Sequence, residues 1–166
     1  MDSSAPDRDA SAELTLRSAT REDLEAIVRM LADDGLGSSR ERLENPLPAS
    51  YHAAFTAIDA DPNNEILVAC IGTDVVGSLQ LTFTPSLSYQ GGWRATIESV
   101  RTVSNRRGSG IGTDLVRYAI ERARERHCVL VQLSSHASRS DAQRFYQRLG
   151  FTASHVGMKL SLTDDH

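Results

Sequence analysis

A strand, a glycine-rich turn and a helix follow one another directly between Ile97 and His127, and this unit restricts the fold more than any other stretch. Ile97 to Val103 is rich in β-branched residues and predicts a strand. Arg106-Arg107-Gly108-Ser109-Gly110-Ile111-Gly112 then places glycine at every second position. It runs into Ile111, Leu115, Val116, Ala119, Ile120 and Ala123, the spacing of one helix face. Glycine permits positive φ and lets a ligand approach where a Cβ would otherwise stand, so such a turn can aim successive N–H groups at one anion. The open N–H groups of the helix's first turn point the same way, backed by the positive end of the helix dipole. A phosphate or pyrophosphate suits that cradle.

Spacing separates the glycine loops that could be meant. A dinucleotide fingerprint starting at Gly108 needs glycine at 113, where Thr113 stands. It also asks for an acidic residue at the end of the next strand, but Val129 to Leu133 is followed by Ser134-Ser135. A P-loop needs a Gly-Lys pair, and the chain has none. The arrangement R-x-x-G-x-G does fit, as Arg107, Gly108, Ser109, Gly110, Ile111 and Gly112. It resembles the acyl-CoA pyrophosphate loop of the GCN5-related N-acetyltransferases (GNAT).

The rest of the chain predicts one domain over 13–162, between a disordered tail at 1–12 and a short tail at 163–166. Leu14 to Ala19 alternates as a first strand, and Thr20 caps a helix whose Leu24, Ile27, Val28 and Leu31 share a face. A second helix spans Ala49 to about Ala60. Glu65 to Ile71 and Val75 to Thr84 form a hairpin about Gly72-Thr-Asp74, and Trp93 to Val103 is the long strand entering the loop. Val129 to Leu133 follows the glycine-loop helix as a parallel partner, and Asp141 to Leu149 is helical up to Gly150. Phe151 to Leu162 is expected to supply one or two final strands.

That element order is similar to the GNAT order, and Ala142-Gln-Arg-Phe-Tyr-Gln-Arg-Leu-Gly-Phe151 resembles the family's A-x-x-x-Y-x-x-x-G-F ending. The resemblance covers Leu14 to Leu162. It implies an α/β (α+β) fold in three layers. A central mixed, mostly antiparallel twisted sheet of six or seven strands contains a splayed parallel pair and is flanked by about four helices.

The resemblance further implies an acyl-CoA-dependent N-acetyltransferase, with acetyl-CoA as cosubstrate, no metal, and direct attack by a primary amine of a small molecule or an exposed protein amine. A homodimer is common for the fold. An alkyl amine, of pKa near ~10, must lose a proton before it attacks. Glu98 stands where several relatives keep a base acting through water, with a solvated strand carboxylate as the alternative. Tyr146 matches the family's acid that protonates the departing thiolate, with packing beside Phe145 and a hydroxyl merely hydrogen-bonded to the cofactor as the alternative. Val100, Arg101 and Thr102 would offer main-chain groups to the acetyl oxygen and the pantetheine arm. Arg107 to Gly112, with Thr113, would hold the diphosphate. Arg139 occupies a position where relatives often carry an Asn, and it could reach a CoA phosphate.

Other features bound these readings. Eighteen Lys and Arg against 22 Asp and Glu leave a net charge of −4, which argues against broad attraction to nucleic acid or anionic membrane. Cys70 and Cys128 lie in apolar strand contexts that suit buried free thiols, and with no signal peptide or long apolar span the cytoplasm is the expected compartment. His52, His127, His136, His155 and His166 show no metal-ligand spacing. Asp33 and Asp34 could attract a cationic amine or simply end the first helix, and Tyr89 and Trp93 could line the acceptor site or cover the core. Two alternatives to the enzyme stand beside it: a non-catalytic acyl-CoA-binding sensor or interaction module, and a nucleotide-binding domain using the same loop.

Overall fold

A computed structural model describes residues 13–35 and 37–163; the expected N-terminal tail at 1–12 lies outside them. In chain order the elements are β1 (Leu14–Ser18), a 3-10 turn (Arg21–Asp23), α1 (Leu24–Ala32), α2 (Ala49–Ala60), β2 (Asn64–Ile71), β3 (Asp74–Thr84), α3 (Ser88–Gly91), β4 (Trp93–Thr102), a 3-10 turn (Ser104–Arg106), α4 (Ile111–Glu125), β5 (Cys128–Leu133) and α5 (Ser140–Arg148). The five strands pair in sequence order, antiparallel except for the parallel pair β4 and β5. The mixed, mostly antiparallel sheet and its flanking helices match the expected class.

Among the described residues the strand count is five rather than six or seven. Phe151 to Leu162 forms no strand, and Val156, Met158, Leu160 and Leu162 stand exposed. Their alternation has the period of a strand, but no edge of the chain's own sheet pairs with them, and an unpaired strand is not stable in water.

Period-two alternation assigns the two faces of the sheet. Leu67, Ala69, Leu79, Leu81, Phe83, Ala95 and Ile97 turn to one side, where they pack with Ile111, Leu115, Val116, Ala119 and Ala123 of α4. Val68 and Cys70 turn to the other, against Ile27 and Met30 of α1, while Leu24, Val28 and Phe55 join α1 to α2. Cys70 and Cys128 are free, and burial raises both thiols above the usual range.

The start of α1 is fixed by one buried carboxylate. Asp23 accepts from the Thr20 N–H at 2.7 Å and from Arg17 at 2.6 and 2.9 Å. The Arg17 hydrogen bond, followed by that from Thr20, outweighs burial and holds Asp23 below the usual carboxylate pKa. Its contribution is therefore complete above the unfolded value near ~4 and disappears as the pH falls through the lower folded value. Asp23→Ala should lower unfolding stability by about 1–2 kcal/mol at pH 7. The gap between variant and wild type should shrink in urea melts at pH 3; a gap independent of pH would contradict this role.

Candidate active site

The long strand β4 changes face at one residue. Gln80 pairs with Glu98 and Ser78 with Arg101, so three residues of β3 oppose four of β4. The extra residue is taken up at a bulge where Ser99 adopts φ +54°. Gln80 and Ser78 lie two apart on one strand, so Glu98 and Arg101 share the α1 side of the sheet. Val100 instead packs against the α4-side core. Without the bulge, Arg101 would follow Ile97 into that core.

Just before the bulge the parallel pair opens. The β4–β5 register ends at Ile97 with Leu133, and β5 itself ends there. From Glu98 to Thr102 the strand keeps β3 on one side and has no strand on the other. On that side Val100 to Thr102 meet no strand, and the Val100 carbonyl accepts from the Arg101 guanidinium at 2.9 Å.

The glycine loop closes the foot of that opening. Gly108 and Gly110 adopt φ +81° and +91°, and a Cβ at either would meet nothing within 4 Å. The Arg107 and Ser109 N–H groups turn inward, to Ser104 and Arg106 carbonyls. The Asp114 N–H donates to the Gly110 carbonyl at 3.0 Å, closing the first turn of α4. Among the described residues no acceptor meets the N–H groups of Gly108, Gly110, Ile111, Gly112 and Thr113. These five amides lie at and just before the N-terminus of α4, a cradle whose dipole suits an anion. Both the cradle and the opened strand fit a CoA-type cofactor.

Tyr146 reaches the site from α5, its ring edge-on to Phe145 at 5.0 Å and to Phe151 at 5.9 Å between centroids. Burial raises its phenol above the usual range, and the nearby Arg101 and Arg139 guanidinium groups only partly oppose the shift. Phe145 and Thr102 flank Gly112, so α5, β4 and the loop meet at that point. Glu98 is exposed and has no hydrogen bond or ion pair among the described residues.

The acidic turn after α1 is committed to arginines. Asp34 takes both carboxylate oxygens to Arg139 at 2.6 Å and one to Arg101 at 3.2 Å. Burial works against its charge, but Arg139 and Arg101 prevail and hold its pKa below the usual value. Asp34 is therefore engaged rather than free to attract an amine, and Arg139 is held on it rather than extended toward a phosphate. Arg107 turns to Asp33, donating to its carbonyl at 3.4 Å with an ion pair at 3.6 Å. An open depression of about 510 Å³ lies beside the Asp34–Arg139 pair, lined by Gly35 and by Ser138 to Ala142. Trp93 packs on the main core, whereas Tyr89 is exposed. The sequence reading missed two features. The Asp34 partners lie 67 and 105 positions away, and no local pattern marks Ser99 as a bulge.

The candidate site is thus a parallel pair that parts over an amide-lined loop at a helix start. The acetyltransferase (GNAT) family model matches residues 26–151, and the chain belongs to that family. It is 32% identical over 141 residues to the aminoalkylphosphonate N-acetyltransferase of Salmonella typhimurium, covering 84% of this chain and 86% of that protein. Its fold is similar to a transcriptional regulator from Bacillus halodurans C-125, at 59% identity and TM-score 0.89, over 90% of this chain and all of the other. A Trypanosoma brucei acetyltransferase superposes with TM-score 0.74 at 27% identity, over 90% of this chain and all of that one.

Two glycines of the loop should respond oppositely to alanine. Gly110 is left-handed, so Gly110→Ala should cost about 1–2 kcal/mol. At Gly112 a Cβ would meet only ordinary contacts, the nearest being Phe145 at 3.6 Å, and the helical backbone favours alanine. Gly112→Ala should stabilise by about 0.5–1 kcal/mol in urea titrations. Equal effects at both positions would contradict the loop geometry.

Proposed function

We propose that this chain transfers the acetyl group of acetyl-CoA to the primary amine of a small molecule, by direct attack in a ternary complex. The observation that carries the reading is the set of five open amides, from Gly108 to Thr113, at the foot of the parted strands. When bound, acetyl-CoA supplies an activated thioester carbonyl. The loop amides hold its diphosphate, and the main chain of Val100 to Thr102 receives the pantetheine arm as an added strand. N–H groups of that same segment steady the carbonyl oxygen where negative charge develops.

Glu98 takes the proton that leaves the amine, through an ordered water. Its position on the α1 side of β4, just before the bulge, sets it at the mouth of the opening. Tyr146 delivers a proton from its phenolic oxygen to the departing sulfur. Burial keeps that phenol protonated well above neutral pH, the state an acid requires. The activity in Salmonella typhimurium makes aminoalkylphosphonates the first acceptors to test, followed by other small amines. Exposed protein amines are the remaining acceptor class.

A second reading is a CoA-responsive regulatory module without catalysis. The Bacillus halodurans relative, described as a transcriptional regulator, favours it. Thiol release from acetyl-CoA across an amine panel separates the two. Release with at least one amine supports the transferase, whereas tight CoA binding with no release for any amine supports the module.

In the transferase, Tyr146→Phe should lower kcat by about 100-fold or more while leaving CoA affinity unchanged. The wild-type alkaline limb should lie above the ordinary phenol value of ~10, because burial raises Tyr146 and activity falls only as that proton is lost. Glu98→Gln should be most impaired near neutral pH and recover toward pH ~10, where the amine sheds its own proton. Full activity of Tyr146→Phe would remove the phenol from the mechanism.

A further inference from the structure

Among the described residues two buried side-chain polar atoms lack a hydrogen-bond partner, the Nε groups of Arg94 and Arg101. Both belong to β4, and Glu98 lies between them. Buried N–H groups are normally paired, so orphans on either side of the candidate base mark a place that a guest completes. Arg101 has little else to offer, since its terminal nitrogens already donate to Asp34 and to the Val100 carbonyl. Arg94 is different. The other half-buried arginines, Arg17, Arg101, Arg122, Arg126 and Arg139, each donate to a side-chain oxygen, whereas Arg94 donates to no group among the described residues.

Ala95 and Ile97 turn into the α4-side core, so Arg94 and Thr96 turn to the α1 side together with Glu98. Thr96 pairs with Thr82 of β3 and with Gln132 of β5, and Gln132 donates to the Thr96 hydroxyl at 3.2 Å. Gln80 stands opposite Glu98. On this side of the sheet α1 and α2 pack on Ile66, Val68 and Cys70 of β2. Across the strands beyond, Leu130 apart, the stretch from Arg94 to Glu98 and its paired neighbours is polar, the character of a sheet face without an apolar cover. Register with β3 is unbroken from Arg94 to Glu98, so their Cα atoms stand about 13 Å apart along one strand.

A guanidinium without a counter-charge and a carboxylate without a partner share one polar strip, and the ligand that satisfies both carries the opposite charges at its two ends. The Nε and one terminal N–H of an arginine form a planar fork that matches two oxygens of an oxyanion. We propose that Arg94 is the specificity residue of the acceptor site. It holds a phosphonate, phosphate, sulfonate or carboxylate group of an amine whose nitrogen lies beside Glu98, so the acceptors are small zwitterionic amines. A polyamine or a protein lysine would leave Arg94 unpaired. The inference rests on the transferase reading for the role of Glu98, but the charge and exposure of Arg94 do not depend on it.

Thiol release from acetyl-CoA, measured with amines of similar size and different charge, tests it: aminoethylphosphonate, taurine and β-alanine against propylamine and putrescine. At least one oxyanion-bearing amine should exceed propylamine in kcat/KM by about 10- to 100-fold. Arg94→Gln should erase that margin through KM, with kcat and propylamine turnover unchanged. Arg94→Lys, which keeps the charge but not the fork, should restore part of it. Arg117→Gln, which removes an exposed charge from α4, should change nothing. Propylamine used as well as every oxyanion-bearing amine, or the same preference in Arg94→Gln, would overturn the proposal and leave the transferase reading intact. Calorimetry with the same amines in the presence of CoA needs no turnover. Binding of an oxyanion-bearing amine that is lost in Arg94→Gln, without thiol release from any amine, would remove the transfer reaction and keep the anchor. Binding that is absent, or indifferent to Arg94, would remove the anchor as well. If Arg94→Gln does not fold, the wild-type order of acceptors and the Arg94→Lys variant decide.

Discussion

The parallel hydrogen bonding between β4 and β5 stops at Ile97 and Leu133, and the site is organised by that stop. Before it, both strands rest on α4, whose Leu115, Val116, Ala119 and Ala123 are fully or nearly fully buried. Beyond it, the bulge at Ser99 turns Arg101 and Glu98 to one face while leaving main-chain groups of β4 without a neighbour. Unpaired backbone in a partly enclosed place is costly unless something fills it. α4 begins at the same level, with its own open amides. A ligand that is both peptide-like and anionic meets both needs, and a pantetheine arm with a diphosphate is such a ligand.

Charge around the opening is arranged differently from charge over the whole chain. The net charge is −4, but the walls near Tyr146 carry Arg101 and Arg139 with Asp34 between them. This group ties the turn after α1 to β4 and to the start of α5. Burial lowers the Arg101 pKa, and Asp34 is the main influence holding it up. The Arg101 Nε is buried without a partner. Together the three residues join segments distant in sequence and leave a local positive surplus that suits an anionic guest.

Much of this arrangement could be read in the sequence, for identifiable reasons. Gly108 and Gly110 are where the backbone is left-handed, and alternate glycines betray such turns directly. The helix faces from Leu24 and from Ile111 follow from period 3.6, and the hairpin about Gly72 from β-branched runs on either side of a tight turn. The final strands were expected over Phe151 to Leu162; Val156 to Leu162 does alternate, but alternation reports only that a strand could form, not which sheet accepts it. The bulge at Ser99 and the pairing of Asp34 with Arg101 and Arg139 depend on register and long-range contact, and neither leaves a local mark. For the same reason the sequence left Asp34 between attracting a cationic amine and ending the first helix.

The claim on which the account rests is that the open loop amides receive the diphosphate of CoA. Backbone amide NMR on the ¹⁵N-labelled protein, titrated with CoA, tests it most directly. The largest saturable shifts should fall on Gly108, Gly110, Ile111, Gly112 and Thr113, with a second group at Val100 to Thr102. Arg107 and Ser109, whose N–H groups already donate to Ser104 and Arg106, should move less. Saturable shifts centred elsewhere, for instance in the cavity that Phe55, Ile66 and Arg122 line, would contradict it, and so would a titration with no saturable shift.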